Sequence, residues 1–141
     1  MTVCIDTGVL VQIFGHRARH DALLHALLSG RLSLAVSNEI LFEYEEVITR
    51  MLGPAIWPRV LRIFEIMEEL WGNIVHVQPE FRFQIVKDDP DDDKFCDCAI
   101  TASADFVISE DRHFAPLAHA GYRPQPIQPE DFIRQILGPK A

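Results

Sequence analysis

Two kinds of apolar pattern alternate along the chain. Thr2 to Ile5 is a short apolar run stopped by Asp6, Thr7 and Gly8, and Leu32 to Val36 is a second, stopped by Ser37 and Asn38. Runs of this length between polar stops predict buried strands that lead into helices. Between them, His20 to Ser29 places Leu23, Leu24, Leu27 and Leu28 at helical spacing, and Gly30 follows as a C-terminal stop. Together they make a strand, helix, strand unit.

From Ser37 a longer helix is expected, with Ile40, Leu41, Tyr44, Val47, Ile48 and Met51 on one side, Glu39, Glu43 and Glu46 interleaved, and Gly53 and Pro54 at its end. A second arm starts near Pro58, which suits a first helical turn, and carries Val60, Leu61, Phe64, Met67 and Trp71 towards Gly72. The arms form a helical hairpin whose Trp57, Phe64, Met67 and Trp71 are expected mostly in the core. Asn73 to Val77 reads as a third strand and Gln78 to Asp92 as a loop. Asp93 opens a helix through Ala102, Phe106 to Ile108 is a fourth strand, and Asp111 starts a short helical turn. Ile127 falls in a last strand, and Pro129 begins a terminal helix with Phe132, Ile133, Ile136 and Leu137 inward.

Strands alternating with helices predict an α/β fold with three layers, α/β/α, around a parallel sheet of about five strands, because parallel neighbours need a crossover between them. The helical hairpin protrudes from it. No repeat, low-complexity tract or second domain interrupts the pattern, so residues 1–141 read as one domain.

Composition narrows the class. An apolar fraction of 48% with 24% charged residues fits a globular protein and excludes a disordered one. No apolar run reaches the roughly 18 residues of a membrane span, and no basic signal head precedes the first run, so a cytoplasmic protein with no membrane partner is expected. The three cysteines, Cys4, Cys96 and Cys98, lie inside apolar segments, which favours buried thiols over a disulfide framework; neither a second pair nor a suitably spaced histidine completes a zinc site. A net charge of −8 opposes nucleic-acid binding by bulk electrostatics. That tension eases where acids hold cations, which invert the local field.

In parallel sheets ligands bind beyond the carboxyl ends of the strands. Asp6 follows the first strand directly and Asp111 follows the fourth closely, so both project at one edge. Glu43 lies about 9 Å along its helix from the second strand, near enough to lean back over that edge. Asp93, opening the helix before the fourth strand, is within reach of the same pocket. Each acid also has a plain reading: Asp6, Asp93 and Asp111 suit helix N-caps, and Glu43 suits a solvated helix face. Their convergence favours the other reading, because gathered carboxylates repel unless protons or cations neutralise them. An all-oxygen set favours Mg²⁺ or Mn²⁺, which complete their shells with water and substrate phosphate.

The same residues carry a resemblance. Val3-Cys4-Ile5-Asp6-Thr7, then Ser37 with Glu43 after it, and above all Asp92-Asp93-Lys94-Phe95-Cys96-Asp97-Cys98-Ala99 running through Ala104-Asp105-Phe106-Val107-Ile108-Ser109 to Asp111, resemble the PIN domain, especially its toxin branch in toxin-antitoxin systems. The resemblance spans Val3 to about Phe114. It implies a Rossmann-like fold and a metal-dependent endoribonuclease that hydrolyses RNA with metal-activated water. The catalytic, metal-binding acids it implies are Asp6, Glu43, Asp93 and Asp111, with Thr7, Ser37 and Ser109 as supporting polar positions. Asp97, four residues after Asp93, is a further candidate ligand. The resemblance also implies a homodimer and a small antitoxin partner. One departure stands out: the family usually has Asn where this chain has Gly8, so a supporting hydrogen bond is absent.

Asp6-Thr7-Gly8 is also the triplet of aspartic proteases, but those are all-β and leave three acids without a role. An aspartate-nucleophile phosphatase would want a second Asp at position 8. The rival kept alongside the nuclease is a weak or inactive PIN-like scaffold that binds RNA or protein. Arg17, Arg19 and Arg50 are the candidate phosphate contacts.

Overall fold

The computed structural model describes residues 1–15, 20–79, 90–111, 114, 118 and 123–138, with backbone alone at 90–92. The apolar runs become strands β1 (Thr2–Ile5), β2 (Ser33–Val36), β3 (Ile74–His76), β4 (Phe106–Ile108) and β5 (Gln125–Ile127). All pair in parallel, in the order β3-β2-β1-β4-β5. The central β1 has Val3, Cys4 and Ile5 fully buried, as a strand covered on both faces must be.

The helices are α1 (Thr7–Phe14), α2 (Asp21–Leu28), α3 (Asn38–Leu52), α4 (Ile56–Trp71), α5 (Pro90–Thr101) and α6 (Pro129–Phe132), which runs into a π-helical stretch at Ile133–Leu137. From β1 the chain steps outward to β2 and β3, then crosses back to β4 and β5 on the other side. Right-handed crossovers therefore put α5 on the face opposite α1 and α2. In the packing, α5 lies on β1, β2 and β4 and also touches α3, whereas α1 meets α2 and α3, and α2 meets α4 and the π-helical stretch. The expected three-layer α/β/α fold is observed, with α3 and α4 as its helical hairpin.

Three boundaries or faces differ from the sequence pattern. Helix α5 starts at Pro90, a residue that suits a first helical turn, so Asp93 lies inside the helix instead of opening it. Met51, in the last turn of α3, is 61% exposed, whereas the next residue, Leu52, packs against the core in its place. Trp57, Phe64 and Met67 are buried, but Trp71 is 54% exposed. Its ring instead lies over the turn between α2 and β2, donating from Nε1 to Leu28 O at 2.8 Å. Gly30 in that turn has φ +79°, and a Cβ there would sit 2.7 Å from the indole, so both backbone and space require glycine.

Cys4, Cys96 and Cys98 are buried free thiols, as expected. Cys98 hydrogen-bonds to Cys4, and that contact together with burial pushes the Cys4 thiol well up. The turn expected after Asp111 lies mostly outside the described residues. No helix among the described residues is long and apolar enough to cross a membrane.

Candidate active site

Strands β2 and β4 flank β1, yet the chain reaches them by winding in opposite directions, which opens a crevice beyond the carboxyl ends of β1 and β4. The pairing Ile5 with Ile108 brings the next residues, Asp6 and Ser109, side by side. Asp6 N donates to Ile108 O at 3.0 Å, and Ser109 N donates to Ile127 O at 3.0 Å, so the ladder fixes both backbones. Ser109 Oγ donates to Asp6 Oδ2 at 2.7 Å and accepts from Asp111 N at 2.9 Å. One hydroxyl thereby orients Asp6 and anchors the chain that presents Asp111.

Asp6 occupies the N-cap of α1, but its side chain makes no cap bond to that helix. The plain capping reading fails at this position. Burial pushes the Asp6 carboxyl above the usual range; bonds from Ser109 and the Thr7 amide pull it down, and the charges of Asp111 and Glu43 push it up again. Asp6 is thus close enough to Glu43 and Asp111 to feel both charges.

Glu43 is reached from below. Ser37 caps α3, accepting from Ile40 N at 3.3 Å, and the buried Tyr44 hydroxyl donates to Ile5 O at the end of β1. These contacts fix the register of α3 so that Glu43 turns towards the crevice, where Thr7 Oγ1 donates to its Oε2. Lys94 Nζ lies 2.6 Å from the other oxygen, Oε1. Glu43 is not a solvated helix side chain. Lys94, in α5, was visible in the sequence block but carried no expectation there; an ammonium among carboxylates is the signal that would have marked it.

Asp93 is half-buried beside Lys94 on α5, and Asp97, one turn on, is buried. Among the described residues no three acids, histidines or cysteines converge tightly enough to ligate one ion as they stand. The donor chemistry nevertheless fits a hard divalent cation: the oxygens belong to carboxylates and hydroxyls, and an ammonium already stands in as the positive charge on Glu43. A cleft of about 530 Å³ opens beside this point, lined by Phe42, Glu43, Glu46, Arg50 and Lys94 among others. Arg50 is exposed there and faces Glu46 at 3.8 Å. Arg17 and Arg19 lie outside the described residues. Gly8 is exposed, and a Cβ built on it meets nothing within 4 Å.

A doubly covered parallel sheet with Asp6 at its switch point and Glu43 and Asp111 near enough to act on its charge defines an α/β protein with an acidic crevice. The PIN domain family model matches residues 2–113, and the chain belongs to that family. Among solved structures it is similar to a chain in the crystal structure of VapBC2 from Rickettsia felis bound to a DNA fragment from their promoter, at 13% identity, with a TM-score of 0.56 over 91% of this chain and 98% of that one. At that identity the likeness is one of fold. Among curated proteins none matches the chain.

Proposed function

We propose that the chain acts as a Mg²⁺- or Mn²⁺-dependent endoribonuclease, the toxin of a toxin-antitoxin pair, working in the cytoplasm as one domain spanning residues 1–141. The reading is supported most by Asp6, which the β1–β4 ladder sets at the switch point and which feels the charges of both Glu43 and Asp111. In this reading Asp6, Glu43, Asp93 and Asp111 hold the metal, with Asp97 as a further ligand. When bound, the ion would polarise the RNA phosphate and supply an activated water. Ser109 aims Asp6 and steadies the segment bearing Asp111; Thr7 aims Glu43. Ser37 acts at one remove by fixing the start of α3. Arg50, with Arg17 and Arg19, would meet RNA phosphates flanking the cleft.

The VapBC2 likeness, added to family membership, supports a small antitoxin partner, and the α3–α4 hairpin is the element we assign to it and to a homodimer. The rival reading, a scaffold with little turnover, draws on Glu43 having both oxygens engaged and on the glycine at position 8. The test is cleavage of a labelled single-stranded RNA by the full chain. Cleavage should need Mg²⁺ or Mn²⁺, stop with chelator, and vanish in Asp6→Asn while the circular-dichroism spectrum is unchanged. Undiminished cleavage by that variant overturns the assignment; a folded wild type that neither cuts RNA nor gains melting temperature with Mn²⁺ favours the scaffold.

A further inference from the structure

Lys94 stands inside the proposed ligand set without belonging to it. Its side chain is only 14% exposed, its Nζ lies 2.6 Å from Glu43 Oε1, and it sits 5.9 Å from the centre of the Phe95 ring. Glu43 itself is 26% exposed and has its second oxygen committed to Thr7. A divalent ion binds a carboxylate oxygen at about 2.1 Å, which is the space this ammonium already fills. Two cations do not share that position, and a partly buried pair is screened less than a surface one. Arg50 in the same cleft gives the contrast, since it is 66% exposed and its partner Glu46 lies 3.8 Å away.

We infer that Lys94 is an internal competitor for the metal: a positioning residue that clamps Glu43 in the metal-free protein and must release it for the ion to take Glu43 as a ligand. The inference rests on the metal-site reading above and concerns which residue sets the affinity of that site. Lys94 balances the acids until the divalent charge replaces it, so apo stability and metal affinity are opposed at this one side chain.

Calorimetric titration of Mn²⁺ into the full chain tests it. Lys94→Met should bind Mn²⁺ about tenfold more tightly than wild type, equivalent to about 1.4 kcal/mol, while melting at a lower temperature without metal. Lys94→Arg, which restores the pair with Glu43, should return both readouts towards wild type; Arg62→Met, which removes an exposed α4 charge paired with Glu65 and not with Glu43, should leave the affinity unchanged. Lys94→Gln carries the same expectation as Lys94→Met if the latter does not fold. Equal or weaker Mn²⁺ binding by the uncharged variants, with wild type binding normally, overturns the competitor and leaves the metal site standing. No binding by any variant overturns both. Binding by Lys94→Met alone supports the inference in its strongest form.

Discussion

Ser109 Oγ donates to Asp6 Oδ2 at 2.7 Å across the junction of two neighbouring parallel strands, joining residues 103 positions apart. The same oxygen receives the Asp111 amide, so a single hydroxyl sets the spacing of two acids. Ser109→Ala should therefore leave the fold intact but loosen Asp6. By analogy with other residues that orient metal ligands, Mn²⁺ affinity or RNA cleavage should fall about 10- to 100-fold, read by titration and by initial rate. Wild-type values in both assays would remove Ser109 from the site.

Asp6 carries a pH signature. Its folded-state pKa is raised, chiefly by burial, so the folded metal-free protein holds that proton more readily than the unfolded chain. The contribution of Asp6 to stability is then greatest at acidic pH, declines as pH rises from the ordinary carboxylate value to the raised one, and changes no further above it. Asp6→Asn removes this loss. Its metal-free melting temperature should exceed wild type by a few degrees at neutral pH, with the gap closing in mild acid. A gap of the same size at both pH values would contradict the assignment.

Asp105 should behave with the opposite sign. Burial pushes its carboxyl up, but bonds from the Thr2 amide at 3.0 Å and Arg123 at 2.6 Å outweigh it and hold the pKa low. Its contribution is present above the ordinary carboxylate value and fades as pH falls through the lowered one. The pair is exposed on the arginine side, so Asp105→Ala should cost only about 1 kcal/mol at neutral pH. Urea unfolding at two pH values checks both size and sign.

Gly8 is open to repair. A side chain there meets nothing within 4 Å, and the residue lies in the first turn of α1 next to Thr7. Gly8→Asn should be accommodated without loss of stability, since glycine is the poorer helix former by a few tenths of a kcal/mol. Mn²⁺ affinity and RNA cleavage should rise. Unchanged affinity and rate would show that the family asparagine is dispensable in this site.

Phe95 ties the site to the core. It is fully buried between Tyr44 and Phe114, each ring 6.4 Å away, and follows Lys94 in α5. Phe95→Ala should destabilise the chain by about 3–5 kcal/mol, measured by chemical denaturation. A loss below about 1 kcal/mol would mean that the three rings do not act as one packed unit.

Strand runs, helix periodicity and stop residues were enough to place β1, β2 and β4 and to identify α/β layering, because each depends on local apolar spacing. Asp6 and Asp111 were legible for the same reason: each follows closely after a strand whose end is marked in the sequence. Asp93 was misplaced by local reasoning, since a proline three residues earlier starts the helix and only the backbone reveals it. Met51 and Trp71 have helical spacing indistinguishable from their buried neighbours; whether such a residue meets the core depends on which segments pack against the last turn of its helix, Leu52 rather than Met51 meeting it in α3. What only tertiary structure decided are contacts between distant segments: Ser109 on Asp6, Thr7 on Glu43, and Lys94 on the far oxygen of Glu43. Sequence periodicity fixes which face of an element is apolar, but a hydrogen bond across crossovers depends on strand order and register, and those are set by the packing of the whole sheet.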